Sequence, residues 1–285
     1  MPAPSEPIFS YYLTKKEVCL VSFRILPPRP YCELFWNHKN TLFSLLPYIW
    51  TLLFFALLWE GLSLALHTYL LPPPHIVLKH TWQLWQEQEL LRHIQASCGR
   101  LLLGLCGALL PAVPVGLLAG RTRRGNAILS PFLYLFYSLP KIIFLPLILM
   151  AMGLGNAPKI FLISCTVFFH IAIVIRDAAR AIDPMQVAIL RSLGATPGQT
   201  FRHLLWPACL PAILTALRTG LGIALALLFI TETFASYSGL GYFIMNAMET
   251  RNYEDMYAAI ITLGLLGIGF YILLDRIERK ACPWK

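Results

Sequence analysis

Long apolar runs dominate this chain and leave it few ways to fold. A helix needs about 20 mainly apolar residues to cross a bilayer, and six segments approach or exceed that length with at most one Asp, Glu, Lys or Arg each. The chain is 57% hydrophobic and only 13% charged, too apolar for an ordinary soluble domain. The sequence therefore predicts an all-α, polytopic membrane protein of about six spans. These are 41–66, 101–120, 127–152, 158–175, 208–231 and 256–274.

Positive charge predicts the orientation of these spans. Lysine and arginine are enriched in the short cytoplasmic loops of membrane proteins, and here they fall on one side if the N-terminus is cytoplasmic. The net charge of +9 then reflects membrane topology. The basic residues are divided among several short loops, whereas a nucleic-acid-binding surface would gather them on one face. Both termini are predicted to be cytoplasmic. The basic positions are Lys15, Lys16, Arg24, Arg29, Lys39, Arg121, Arg123, Arg124, Arg176, Arg180, Arg191, Arg202, Arg276, Arg279, Lys280 and Lys285.

The chain divides at about residue 40. Residues 1–40 are polar, contain prolines and lack the apolar core of a signal peptide, so they predict a poorly ordered cytoplasmic leader. Residues 41–285 form the predicted transmembrane domain. The seven cysteines show no metal-ligand spacing and are interpreted as free thiols or as small apolar side chains that fill space.

No enzyme motif is present. The chain has no phosphate-binding GxxxxGK[ST] loop, no GxGxxG fingerprint, no HExxH and no GxSxG. We therefore predict no catalytic residue, no metal site and no cofactor in this chain. If it works by ATP hydrolysis, another subunit must bind the ATP and magnesium.

Polar residues inside the spans are candidates for a translocation path, because charge in a membrane is costly and usually functional. Ser138, Lys141, Thr231 and Glu232 are the four candidates. A structural interpretation stays open beside the functional one. Glu232 would then make hydrogen bonds near the interface, and Lys141 or Arg218 would extend toward it.

A polar segment, 183–207, lies between the fourth and fifth spans and predicts a helical hairpin. Asp183 and Pro184 can start a helix that Gly194 ends. Thr196 and Gln199 have the spacing of a capping box for a second helix, which Pro207 is predicted to close.

This segment resembles the cytoplasmic loop of binding-protein-dependent ABC importer permeases, whose signature is EAA, three residues, Gly, nine residues and I-x-L-P. Gly194, Leu204, Trp206 and Pro207 match the Gly, Ile, Leu and Pro in order and spacing. Ala188 stands where the family has glutamate, and Ile189 and Leu190 replace its two alanines. The sequence RSLGA, together with matches at 138–160, 231–244 and the C-terminus, resembles the branch that imports nitrate, sulfonates and taurine. The resemblance extends from about Trp59 to the end.

The resemblance implies that the hairpin binds an ATPase subunit. The residues implied in this coupling are Met185, Ala188, Ile189, Arg191, Leu193, Gly194, Ala195, Leu204 and Pro207. Met185, Ile189 and Leu193, spaced by four, would form one apolar stripe on the first helix.

We therefore expect a permease subunit of an ABC importer in the bacterial inner membrane. Its implied partners are ATP-binding cassette ATPase subunits, a periplasmic or lipid-anchored solute-binding protein and a second permease copy. The alternative is a secondary transporter or channel without an ATPase, which should show inverted repeats and charges paired at the midplane. A membrane-embedded enzyme is a third class, but no constellation of polar residues supports it.

Overall fold

A computed structural model describes residues 41–66, 68–234 and 236–284. The chain divides into two units, Met1–Trp59 and Glu60–Lys285. Of the first, only the helix that begins at Thr41 is described, so the predicted leader 1–40 lies outside the described residues. The described part is helical, with no strand. Its helices are α1 (Thr41–Leu66), α2 (Pro74–Gln86), α3 (Glu89–Arg121), α4 (Arg123–Ser138), α5 (Leu145–Met152), α6 (Ala157–Arg180), α7 (Pro184–Ser192), α8 (Pro197–Thr200), α9 (Trp206–Thr233), α10 (Leu240–Glu249) and α11 (Tyr253–Ala281).

Four helical stretches of the described chain are long and apolar enough to cross a membrane, or five if one bent pair counts as a single span. The four are 90–121, 157–180, 197–233 and 253–281. A shorter apolar helix, 50–66, lies within α1. The all-helical membrane architecture is confirmed, whereas the count of six stays a prediction.

The predicted third span, 127–152, is not one continuous helix. Helix α4 stops at Ser138, a single 3₁₀ turn covers Lys141–Phe144, and α5 continues at an angle of 79° to the first part. Pro140 explains the break, because proline has no N–H to donate and its ring disfavours helical geometry at Leu139, which is extended.

The second half of α3 packs against α6, and small residues make this possible. Gly104, Gly107, Gly116 and Gly120 face α6 so closely that an added Cβ at Gly120 would lie 2.5 Å from the carbonyl oxygen of Arg176. Backbones that approach this closely gain dispersion contacts, which drive helix association in lipid. The core of unit 60–285 is therefore built on α3, α6 and α9, and it fixes both ends of the hairpin segment.

Candidate functional site

The first helix of the hairpin begins where the sequence predicts. The Asp183 carboxylate accepts a hydrogen bond from the Met185 backbone N–H at 2.8 Å, and Pro184 occupies the first turn. A side-chain acceptor at this position satisfies an N–H that has no partner inside the helix. Helix α7 is thus specified by its own residues.

The reversal after α7 depends on Gly194. Its φ is +80°, a left-handed conformation that is costly for residues with a Cβ and worst for β-branched ones. The Gly194 N–H donates to the carbonyl of Arg191, and the Ala195 N–H donates to the carbonyl of Leu190. These bonds satisfy carbonyls at the end of α7 and turn the chain toward α8.

The second helix starts with a complete capping box. The Thr196 hydroxyl accepts from the Gln199 N–H, and the Gln199 side chain accepts from the Thr196 N–H at 2.8 Å. Both capping interactions predicted for the hairpin are therefore present.

The prediction that Pro207 closes this second helix is wrong. Helix α8 continues through a π turn, Phe201–Leu205, directly into α9, where Pro207 occupies the first turn. The Trp206 N–H donates to the carbonyl of Phe201, five residues back, so the extra residue accommodates the proline that cannot donate. The hairpin is consequently continuous with the spanning stretch 197–233.

The two faces of α7 have different environments. Val187 is 5% exposed and, like Leu205, belongs to the main hydrophobic core. Met185, Ile189 and Leu193 are 65%, 50% and 77% exposed. One face therefore holds the hairpin to the bundle, and the apolar stripe on the other has no covering partner within the described chain.

The remaining residues implied in coupling surround this stripe. Ala188 and Arg191 are exposed, while Ala195 and Leu204 are half-buried, Leu204 against the core. Arg191, Gly194 and Ala195 also line a cleft of about 790 Å³ between the hairpin and the end of α3. A glutamate at position 188 would lie at the surface, so its absence leaves no gap in the fold.

Glu232, by contrast, does not face an open path. It is fully buried, and its Oε1 accepts from Arg100 Nη1 at 2.7 Å and from the Ser97 hydroxyl at 2.8 Å. Its Oε2 accepts from the backbone N–H of Gly241 at 2.9 Å, at the start of α10. Thr231 is also buried, and its hydroxyl donates to the carbonyl of Leu228. These contacts agree with the structural interpretation of Glu232 that the sequence left open beside the functional one.

Arg100 and Lys159 complete this buried cluster. Arg100 also donates to the Asn156 side chain at 2.8 Å and to the Ser238 carbonyl at 2.7 Å, and Lys159 Nζ lies 3.0 Å from the Ser236 hydroxyl. Arg100 was not among the predicted candidates because it lies just outside the predicted second span, 101–120. The sequence did contain an indication, because Arg100 directly precedes the uncharged run 101–120, and charged residues at such positions are functional candidates.

Lys141 is likewise buried, and it caps the broken span. Its ammonium donates to the backbone carbonyls of Phe136 at 2.6 Å and Leu139 at 3.3 Å, and it lies 4.9 Å from the centre of the Phe169 ring. Cations are favourable at helix C-termini because the last carbonyls lack partners. Ser138 is exposed, and its hydroxyl donates to the carbonyl of Leu135.

Arg218 is partly buried between two helices. It forms ion pairs with Asp275 and Glu278 of α11 and lies over the Tyr271 ring. These contacts join α9 to α11 near the end of the chain.

A described bundle with four or five spanning helices and a capped surface hairpin defines a polytopic membrane protein. The chain belongs to the family of binding-protein-dependent transport system inner membrane components, which matches residues 112–281. It is the permease subunit of an ABC importer.

Two relatives illustrate the membership. The taurine transport system permease protein of Escherichia coli K12 is 30% identical over 232 residues, 79% of this chain and 84% of that protein. A putative aliphatic sulfonates transport permease protein of Bacillus subtilis is 32% identical over 232 residues, covering 80% and 83%. These relatives give no support to a secondary transporter or channel.

A solved structure shares the fold. The MetNI methionine ABC transporter in an inward-facing conformation matches 67% of this chain and 95% of its own, with a TM-score of 0.58 and 22% identity. At that identity, the likeness concerns the arrangement of helices alone.

Proposed function

We propose that the hairpin 183–207 is the surface to which an ATP-binding cassette ATPase docks. The observation that carries this proposal is the exposed stripe of Met185, Ile189 and Leu193 on a helix whose opposite face is held by Val187. An apolar helix face of this kind suits a hydrophobic groove on a partner. ATP and magnesium would bind to that partner, not to this chain.

The hairpin is built to transmit movement. Because α8 runs through the π turn into α9, a displacement of the docked hairpin moves a spanning stretch of 37 residues. Val187 and Leu205 anchor its two arms in the same core. ATP-driven closure of the ATPase pair would therefore shift α9 as a lever.

The complex would contain a second permease copy and a solute-binding protein on the opposite side of the membrane. Arg180, Arg191 and Arg202 lie in or beside the hairpin segment, and this positive charge supports a cytoplasmic hairpin and cytoplasmic termini. The relatives named for taurine and aliphatic sulfonates support a small sulfonate as the solute. The binding protein would be periplasmic or lipid-anchored, and the permease would lie in the bacterial inner membrane.

Co-purification tests the docking surface. Ile189→Ser removes one apolar side chain from the stripe, and Ile277→Ser is a matched control because the two residues are 50% and 42% exposed. The tagged permease is co-expressed with its ATPase and extracted in detergent. We expect the ATPase to be retained by Ile277→Ser and largely lost from Ile189→Ser. Equal retention by both variants would contradict docking at this stripe.

A further inference from the structure

A cavity of about 370 Å³ lies where the broken span meets α6 and α9. Its walls are apolar apart from four side chains, namely Tyr137, Lys141, Thr166 and His170. Mainly apolar walls with a few placed polar groups are typical of small-molecule sites of about 300 Å³ and above.

The backbone in the wall of this cavity is irregular. Leu139 and Pro140, at the break between α4 and the 3₁₀ turn, form part of its wall. Inside a membrane, non-helical backbone is tolerated only where protein buries it or where it lines a water-filled cavity. His170, on the opposite wall, lies near the middle of α6, so the cavity opens well inside the membrane.

The charge of the wall has one sign. Lys141 is held by backbone carbonyls and not by a carboxylate, and no aspartate or glutamate is among the residues that line the cavity. A fixed cation without an acidic neighbour, between walls of low dielectric constant, favours an anion in the cavity.

Two neutral side chains in the same wall, Tyr137 and His170, add polar groups beside the Lys141 charge. The Tyr137 ring stacks on His170 at 6.3 Å between centroids, is 48% exposed, and its hydroxyl has no hydrogen-bond partner within 68–234 or 236–284. His170 is itself fixed, because its Nε2 lies 2.9 Å from the Thr219 hydroxyl. Tyr137 therefore places a hydroxyl donor in the lining of the cavity, where a ligand can accept from it.

We propose that this cavity binds the anionic head group of the transported solute, a small sulfonate, on its way through the membrane. The sulfonate oxygens accept from the Tyr137 hydroxyl, and the Lys141 charge attracts them. This inference rests on the proposed function and specifies its recognition site. It also moves the path away from Glu232 and Thr231, which are buried in the helix bundle.

Reconstituted transport tests the site. The complete importer, with its ATPase and binding protein, is placed in liposomes, and taurine uptake and ATP hydrolysis are measured together. Tyr137→Phe keeps the ring and removes only the donor. Tyr271→Phe is its matched control, because Tyr271 is equally 48% exposed but lies on α11 away from the cavity. Lys141→Gln removes the charge.

Loss of a hydrogen bond to a charged group corresponds to about a tenfold effect or more. We expect Tyr137→Phe to lower taurine uptake about tenfold while ATP hydrolysis stays at the wild-type rate, so that more ATP is consumed per taurine imported. Tyr271→Phe should match the wild type in both measurements. A permease that is misfolded or not bound to the ATPase would lose ATP hydrolysis as well as uptake. If Lys141→Gln does not assemble, Tyr137→Phe alone tests whether the cavity recognises the solute.

Two other outcomes have distinct meanings. Wild-type uptake and an unchanged ATP-to-taurine ratio in Tyr137→Phe would overturn the recognition site and leave the proposed function standing. A wild-type importer that carries no taurine or other sulfonate would overturn the proposed substrate class and this site with it.

Discussion

Arg100 Nη1 and Glu232 Oε1 lie 2.7 Å apart at the end of α9 that is remote from the hairpin, and their side chains are 5% and 0% exposed. The same carboxylate accepts from the N–H of Gly241, so one ion pair joins α3, α9 and the start of α10. Removing one partner of such a pair leaves an uncompensated buried charge.

Glu232→Ala should therefore destabilise the protein by about 3–5 kcal/mol, because the Arg100 guanidinium loses its counter-charge in a place that water does not reach. Thermal unfolding of the purified permease in detergent measures the effect. Arg279→Ala is the control: it breaks an ion pair with Asp275 in which Arg279 is 74% exposed, and such pairs contribute about 1 kcal/mol or less. Equal unfolding temperatures for the two variants would show that the buried pair does not stabilise the fold.

Gly239→Ala should damage the same region for a steric reason. An added Cβ would overlap the Glu232 carboxylate, and the φ of +116° disfavours any side chain. Gly269→Ala is the comparison, because a Cβ there meets nothing within 4 Å and the backbone is helical. We expect a lower unfolding temperature and weaker hydrogen-exchange protection of α10 in Gly239→Ala alone. If Gly239→Ala unfolds like the wild type, the close approach is not rigid.

Impermeant thiol labelling in a cysteine-free background checks the orientation. Tyr69→Cys tests the segment between α1 and α2, where Tyr69 is 94% exposed, and Ser192→Cys tests the exposed end of α7. Arg180, Arg191 and Arg202, in or beside the hairpin segment, predict that the hairpin is cytoplasmic. Intact cells should therefore label the Tyr69→Cys variant but not the Ser192→Cys variant, and inverted vesicles should give the reverse. Labelling of both variants from one side would refute the topology.

The sequence predicted the local structure of the hairpin well, because capping is a property of a few neighbouring residues. Asp183, Thr196 and Gln199 make the predicted contacts with their own backbone. The prediction for Pro207 was wrong, because the π turn in the preceding residues accommodates a proline that would otherwise end the helix.

The polar side chains within the membrane were predicted less well, because their role depends on partners far along the chain. Glu232 is bound by Arg100, 132 residues away, and no local pattern indicates that pairing. Lys141 is bound by carbonyls of its own broken span, which become acceptors only because the helix stops. Tyr137 and His170 show no periodic signal and are brought together only by the packing of α4 on α6.

The central claim is that the hairpin couples ATP hydrolysis to transport. Substrate-stimulated ATP hydrolysis by the reconstituted importer tests this claim most directly, measured for two variants at Gly194. The φ of +80° is strained for a β-branched residue but is tolerated by asparagine, and an added Cβ meets no atom within 4 Å, so only the backbone is tested. We predict that Gly194→Val inserts into the membrane yet loses stimulated hydrolysis and uptake, while Gly194→Asn retains both. Normal coupling of hydrolysis to uptake in Gly194→Val would contradict the account.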